Sequence, residues 1–137
     1  MAEDDFTIAN KLKGNSPRGE LPFKLAKSDL FKIKEEILGR EYELSLVFAE
    51  SGKMRELNML YRKKNEPTDI LSFPLSPASG EIFICPEEAE KEAPKFKRPP
   101  KNFALFLFIH GLLHLKGMEH SSKMEAMEQK YREQFGV

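Results

Sequence analysis

The sequence predicts an α/β (α+β) sandwich, in which a small mixed sheet packs against a buried central helix that carries histidines. Three observations support this. Short runs of alternating apolar and polar residues are separated by runs with apolar residues at helical spacing. One hairpin-like pair of runs, within residues 69–85, breaks that alternation, so the sheet is expected to be mixed. Seven consecutive apolar residues, Phe103 to Ile109, precede His110, the pattern of a helix buried between layers.

Taken in order, Phe6 and Ile8 suggest a short first strand, and the Gly, Asn, Ser and Pro of residues 10–22 a loop. Ser28 is placed to cap a helix running to Gly39, with Leu30, Ile33, Ile37 and Leu38 as its apolar stripe. Tyr42, Leu44, Leu46 and Phe48 alternate as one face of a half-buried strand. Ser51-Gly52 opens a second helix, in which Met54, Leu57, Leu60 and Tyr61 are expected to pack inward. It ends in the cations Arg62, Lys63 and Lys64, and Pro67 forbids its continuation.

Asp69 to Phe73 reads as a strand closed by Pro74, residues 74–79 as a connector, and Glu81 to Cys85 as a strand buried on both faces. Pro86 with Glu87, Glu88 and Glu90 begins a short helix, its acids near the positive end of the dipole. Residues 94–101 form the most loop-like stretch of the second half, and the central helix follows from Asn102. Ser122 and Glu125 have capping-box spacing for a last helix lined by Met124, Met127, Tyr131 and Phe135. That methionine-bearing stripe is read as core packing, without a cofactor role.

The chain of 137 residues fits one domain, 1–137, with room for a core. Twenty-two Lys and Arg balance 22 Asp and Glu, which argues against a general phosphate-coating protein and against DNA as a partner. A single cysteine, Cys85, excludes an internal disulfide and reads better as a small buried hydrophobe than as a ligand. The beginning MAEDDF has no charged-then-apolar signal pattern, and no apolar run approaches the ~20 residues a membrane span needs. A soluble, cytoplasmic protein with no membrane partner is the expectation.

All three histidines lie in one segment, FALFLFIHGLLHLKGMEH. His110 and His114, four residues apart, share one helix face about 6 Å apart along the axis. Gly117 offers the left-handed residue that ends helices and lets the chain return His120 to the same point. A lone histidine on an apolar face is usually a core residue with a satisfied hydrogen bond. Three together, with no fourth protein ligand in the pattern, describe one Zn2+ per chain with an open coordination position. The spacing equals the zinc-protease pattern HExxHxxGxxH, but Gly111 stands where those enzymes carry their glutamate base. A protease is disfavoured on that account, and metal-assisted hydrolysis in general is not.

The segment HGLLHLKGMEH resembles the HGxLHLxGYDH signature of the YbeY family, bacterial rRNA maturation factors described as zinc-dependent endoribonucleases. A second block, LNMLYRKKNEPTDILSFP from Leu57 to Pro74, is similar to that family's LNxxYRxKDxPTxVLSFP. A third, Gly80 to Cys85 followed by Glu90 to Ala93, resembles its GDIxIC…EA. The likeness runs from about Tyr42 to His120. It implies the family's α/β fold, His110, His114 and His120 as zinc ligands, and Arg62 as the family's functional arginine across a cleft from the metal. It also implies cleavage of single-stranded RNA, with maturation of the 16S rRNA 3′ end, ribosome quality control and the small ribosomal subunit as partner. Met118-Glu119 replaces Tyr-Asp, Asn65 stands where Asp is usual, and Glu81 replaces Asp.

The residues themselves are compatible with an RNA substrate. Arg62 carries a planar, permanently charged fork suited to phosphate oxygens, although a cation at a helix C-terminus needs no ligand to explain it. Lys63, Lys64, Lys97 and Arg98 could extend a positive track beside Phe96, a base-stacking surface, or be ordinary solvated charge. Two other functions stand beside the nuclease: a non-catalytic ribosome-assembly factor with a structural zinc, and a metal-dependent hydrolase of another substrate.

Overall fold

The structure is a computed structural model that describes residues 5–14 and 20–137. The loop expected over residues 10–22, and the acidic beginning, therefore lie partly outside the described residues. Four strands form one mixed sheet in the order β1-β2-β4-β3, where β1 is Phe6–Asn10, β2 Glu43–Phe48, β3 Ile70–Ser76 and β4 Ser79–Ile84. β1, β2 and β4 run parallel, and β3 pairs antiparallel with β4 as the hairpin. The helices are α1 (Lys27–Leu38), α2 (Ser51–Arg62), α3 (Pro86–Glu92), α4 (Pro100–Leu115) and α5 (Ser122–Phe135). Among the described residues no helix is long and apolar enough to cross a membrane.

One sheet face carries the main core. Phe6, Leu44, Leu46, Phe48, Ile82 and Ile84 meet Leu30, Ile33 and Ile37 of α1, Phe108, Ile109 and Leu112 of α4, and Met124 and Tyr131 of α5. A smaller cluster joins Met54 and Leu57 of α2 to Ala49, Leu71 and Cys85, with Phe73 and Phe83 packed against it. Cys85 is thus a buried free thiol within an apolar cluster. Phe83 is only half-buried, so β4 is fully covered on one face and partly on the other.

α4 lies close against the sheet because Gly111 removes a side chain where the two meet. A Cβ there would come within 2.9 Å of Ser72 Oγ, 3.0 Å of Ile70 Cδ1 and 3.1 Å of Ile82 Cδ1. The residue that departs from the protease pattern therefore has a packing reason of its own. Gly80 plays the same part at the other end of α4, where a Cβ would lie 2.5 Å from the Tyr42 hydroxyl and 2.8 Å from Leu115 Cδ2.

Several local expectations differ from the structure, each for a physical reason. Leu60 and Tyr61 do not pack inward; they are 60% and 61% exposed, because only the Met54, Leu57 and Asn58 side of α2 meets the sheet. β3 passes through Pro74 to Ser76, since Pro74 sits at the sheet edge and the register shifts between Pro74 and Ser76. The expected connector is consequently a tight hairpin turn. Ser28 does not cap α1, which begins at Lys27 after Ala26 without a side-chain cap. In α5 the cap is Ser121, whose Oγ accepts from the Met124 amide, one residue before the serine expected. Within residues 94–101, Ala93–Phe96 form a 3-10 turn and α4 already starts at Pro100, a proline tolerated in a first turn.

Candidate metal centre

α4 is buried along most of its surface, but Phe106, His110 and His114 are only half-buried and, four residues apart, mark its open side. Beyond Leu115 the chain turns at Gly117, with φ +97°, and the Gly117 and Met118 amides donate to the His114 and Leu113 carbonyls. The return brings the His120 ring 5.2 Å from that of His110 and 4.7 Å from that of His114, centroid to centroid. One nitrogen from each ring lies within 4.8 Å of the others. The rings sit at the wall of an open cleft, with His120 exposed, and not in the dry interior.

The hydrogen bonds around the rings fix what the inward nitrogens can do. His114 Nδ1 lies 3.1 Å from the Met118 carbonyl oxygen, which only accepts, so Nδ1 carries the proton and Nε2 a lone pair. His110 Nδ1 lies 3.1 Å from both carboxylate oxygens of Glu128 and donates to them. The two Nε2 atoms then face each other 3.0 Å apart. Only an electrophile satisfies two converging lone pairs, and a third imidazole beside them suits a metal ion better than a proton. Tetrahedral zinc with nitrogens at about 2.0–2.1 Å needs adjacent ligand atoms about 3.4 Å apart, close to the spacing found. Burial, with the neighbouring His110 and His120 rings, pushes the His114 pKa down, which favours the neutral form a metal requires. The donor set therefore fits a divalent ion with nitrogen preference.

Sequence spacing alone does not single out Glu128. It is buried at 8% exposure on α5, and both its oxygens are directed at His110. A signal is present nonetheless: Glu128 stands four residues after Met124 and three before Tyr131, a carboxylate on the buried stripe. A buried acid in that place needs a partner, and histidine supplies it.

The cleft has a volume of about 780 Å³. Its walls are the three histidines with Gly117, Met118 and Glu119, the β3 residues Ile70 to Pro74 with Thr68, and Tyr61 and Arg62 from the end of α2. Arg62 is thus brought to the same cleft as the histidines, and it forms no ion pair among the described residues. Asn58 holds the turn after α2: its side-chain amide donates to the Glu66 carbonyl at 2.9 Å, and its backbone carbonyl accepts from the Lys63 and Lys64 amides. Lys63 and Lys64 are exposed beyond Arg62 and do not line the cleft. Phe96, Lys97 and Arg98 do not line it either. Phe96 packs on Phe103 and Phe106 at 5.0 and 5.8 Å, and Arg98 lies 4.8 Å over the Phe106 ring.

Comparison with known proteins agrees with this arrangement. Residues 22–136 match the family model described as Endoribonuclease YbeY. Relatives named Endoribonuclease YbeY include one from Phytoplasma australiense, 39% identical over 61% of this chain and 64% of its own length. One from Sinorhizobium fredii is 33% identical over 69% of this chain and 63% of its own length, so these two alignments span less than two thirds of those relatives. One from onion yellows phytoplasma is 36% identical over 85% of this chain and 86% of its own. The solution structure of TM1509 from Thermotoga maritima superposes with a TM-score of 0.64 at 30% identity, covering 95% of this chain and 88% of that one. With the match running through the hairpin, the histidine helix and α5 alike, this chain belongs to the YbeY family.

Proposed function

We propose that this chain is a single-domain, zinc-dependent endoribonuclease that cleaves single-stranded RNA in rRNA processing, including maturation of the 16S rRNA 3′ end. On this reading it works in the cytoplasm, on the small ribosomal subunit, and contributes to ribosome quality control. The observation that carries the activity is the shared cleft: three imidazoles converge on one wall while the Arg62 guanidinium lines another. The relatives' printed activity, endoribonuclease, supplies the substrate class.

His110, His114 and His120 would hold the ion through the nitrogens directed into the cleft. Glu128 and the Met118 carbonyl keep the His110 and His114 rings in the tautomer that presents Nε2. A zinc ion held there supplies Lewis acidity, drawing charge from a phosphoryl oxygen and acidifying water. Arg62 binds the phosphodiester from the opposite wall with a fork that matches two oxygens, and its charge offsets the negative charge that grows as the bond breaks. Ser72 and Thr68 along β3 add neutral hydrogen-bonding groups to the cleft floor.

The test uses purified protein with its metal content measured, on a labelled single-stranded oligoribonucleotide. Arg62→Gln should retain metal and lose activity by about 10²–10³-fold, the range seen when a donor to a developing oxyanion is removed. His114→Ala should lose both metal and cleavage. Undiminished cleavage by both variants would end this reading. Metal-replete wild type without nuclease activity would instead favour the assembly-factor function.

A further inference from the structure

One turn of α4 before His110, the Phe106 ring holds two guanidinium groups. Arg98, just ahead of α4, lies 4.8 Å from the ring centroid, and Arg132, from α5, lies 5.6 Å from it. Both distances are within the reach of cation–π attraction, and planar guanidinium suits such stacking. The surroundings leave the two charges uncompensated. Neither arginine forms an ion pair among the described residues. The acid one turn away on α5, Glu128, directs both oxygens at His110. Arg98 donates through Nη1 to Asn102 Oδ1, a neutral acceptor, and the buried Nε of Arg132 has no hydrogen-bond partner. Burial and the Arg132 charge together lower the Arg98 pKa. Two half-buried like charges beside one ring are costly unless an anion joins them.

The position gives that anion its meaning. α4 carries Phe106, His110 and His114 in line, and α5 sets Arg132 one turn beyond Glu128, so the arginine pair continues the metal wall by one helical turn. Phe96 is half exposed beside Phe106 and offers a free aromatic edge. Resting on the nuclease reading above, we propose that Arg98 and Arg132 clamp a backbone phosphate of the single-stranded RNA next to the cleavage position, with Phe96 and Phe106 as the adjoining stacking surface. The subsite fixes which part of the strand enters the cleft. It is a binding and positioning device, separate from the metal and from Arg62.

Fluorescence anisotropy of the zinc-loaded full chain tests this, using a labelled single-stranded oligoribonucleotide with a 2′-O-methyl backbone, titrated at several KCl concentrations. Arg98→Gln and Arg132→Gln should each weaken binding at low salt by about 3–10-fold. The double variant should reduce the slope of log affinity against log salt by about 0.7 for each phosphate that is no longer neutralised. Zinc content should stay at the wild-type value. Arg98→Lys with Arg132→Lys keeps both charges and serves if the glutamine variants fold poorly; it should hold the slope while weakening affinity, because the planar fork is gone. Lys53→Gln, on α2, should change neither quantity. Wild-type affinity and slope in both the glutamine and the lysine pairs would overturn the clamp while leaving the nuclease reading intact. Wild-type protein that cleaves and binds no RNA would overturn both.

Discussion

His110 and Glu128 form the interaction on which the metal centre is most sensitively poised. The carboxylate lies 3.1 Å from Nδ1 through both oxygens, so it selects the tautomer, fixes the ring plane and increases the basicity of Nε2. Glu128→Ala should lower zinc affinity by about 10–100-fold, measured by competition with a chromophoric chelator, and Glu128→Gln, which can still accept from Nδ1, should lower it less. Unchanged affinity in the alanine variant would show that Glu128 serves packing alone. At this scale the three histidines are legible because ligand spacing is a local property of a helix and the turn after it. Glu128 is not, because its role depends on α5 folding back over α4, which spacing within α5 does not show. Leu60 and Tyr61 mislead for a similar reason. An apolar stripe wider than the packed face leaves its edge outside, and here Tyr61 instead tilts against Phe73 at 4.9 Å to shape the cleft.

The packing of α4 on the hairpin governs how accurately the centre is built. Gly111 sits between the two metal-face histidines and directly against Ile70, Ser72 and Ile82, at distances no ordinary Cβ can share. Gly111→Ala should push α4 off the sheet, costing about 1–3 kcal/mol of stability in denaturant unfolding and weakening zinc binding as the histidine positions shift. Full stability with wild-type zinc affinity would mean that Ile70 and Ile82 can yield by rotamer changes alone. The mixed sheet, the hairpin and the all-round apolar helix can be read from periodicity, which reports burial directly. Boundaries cannot. Pro74 breaks strands only where its missing amide is needed, and the edge position that makes it harmless is a property of the assembled sheet. The serine cap of α5 is displaced by one residue because Ser121 and Ser122 offer the same chemistry, and only the backbone conformation distinguishes them.

Across the whole molecule, the ion would join parts that are otherwise linked by packing alone. His110 and His114 belong to α4, His120 to the turn that leads into α5, and Glu128 to α5 itself, so one bound cation ties the C-terminal third together. A ligand bound by the folded state alone stabilises it by about 2.7 kcal/mol at a hundred times its dissociation constant. Chelation should therefore lower the melting temperature by several degrees, and stoichiometric zinc should restore it; a melting temperature indifferent to metal would place the site outside the folding unit. The family likeness is visible in two sequence blocks, LNMLYRKKNEPTDILSFP and HGLLHLKGMEH, and the structure explains their pairing: the end of the first and the whole of the second form opposite walls of one cleft.

The most direct test of a three-imidazole centre with room for a reactant is zinc X-ray absorption spectroscopy on the native protein, with one equivalent of metal bound. The account predicts three imidazole nitrogens at about 2.0–2.1 Å and one further light atom from solvent, which changes when a phosphate ester is added. A sulfur scatterer, four protein nitrogens, or a spectrum indifferent to both the ester and His114→Ala would contradict it.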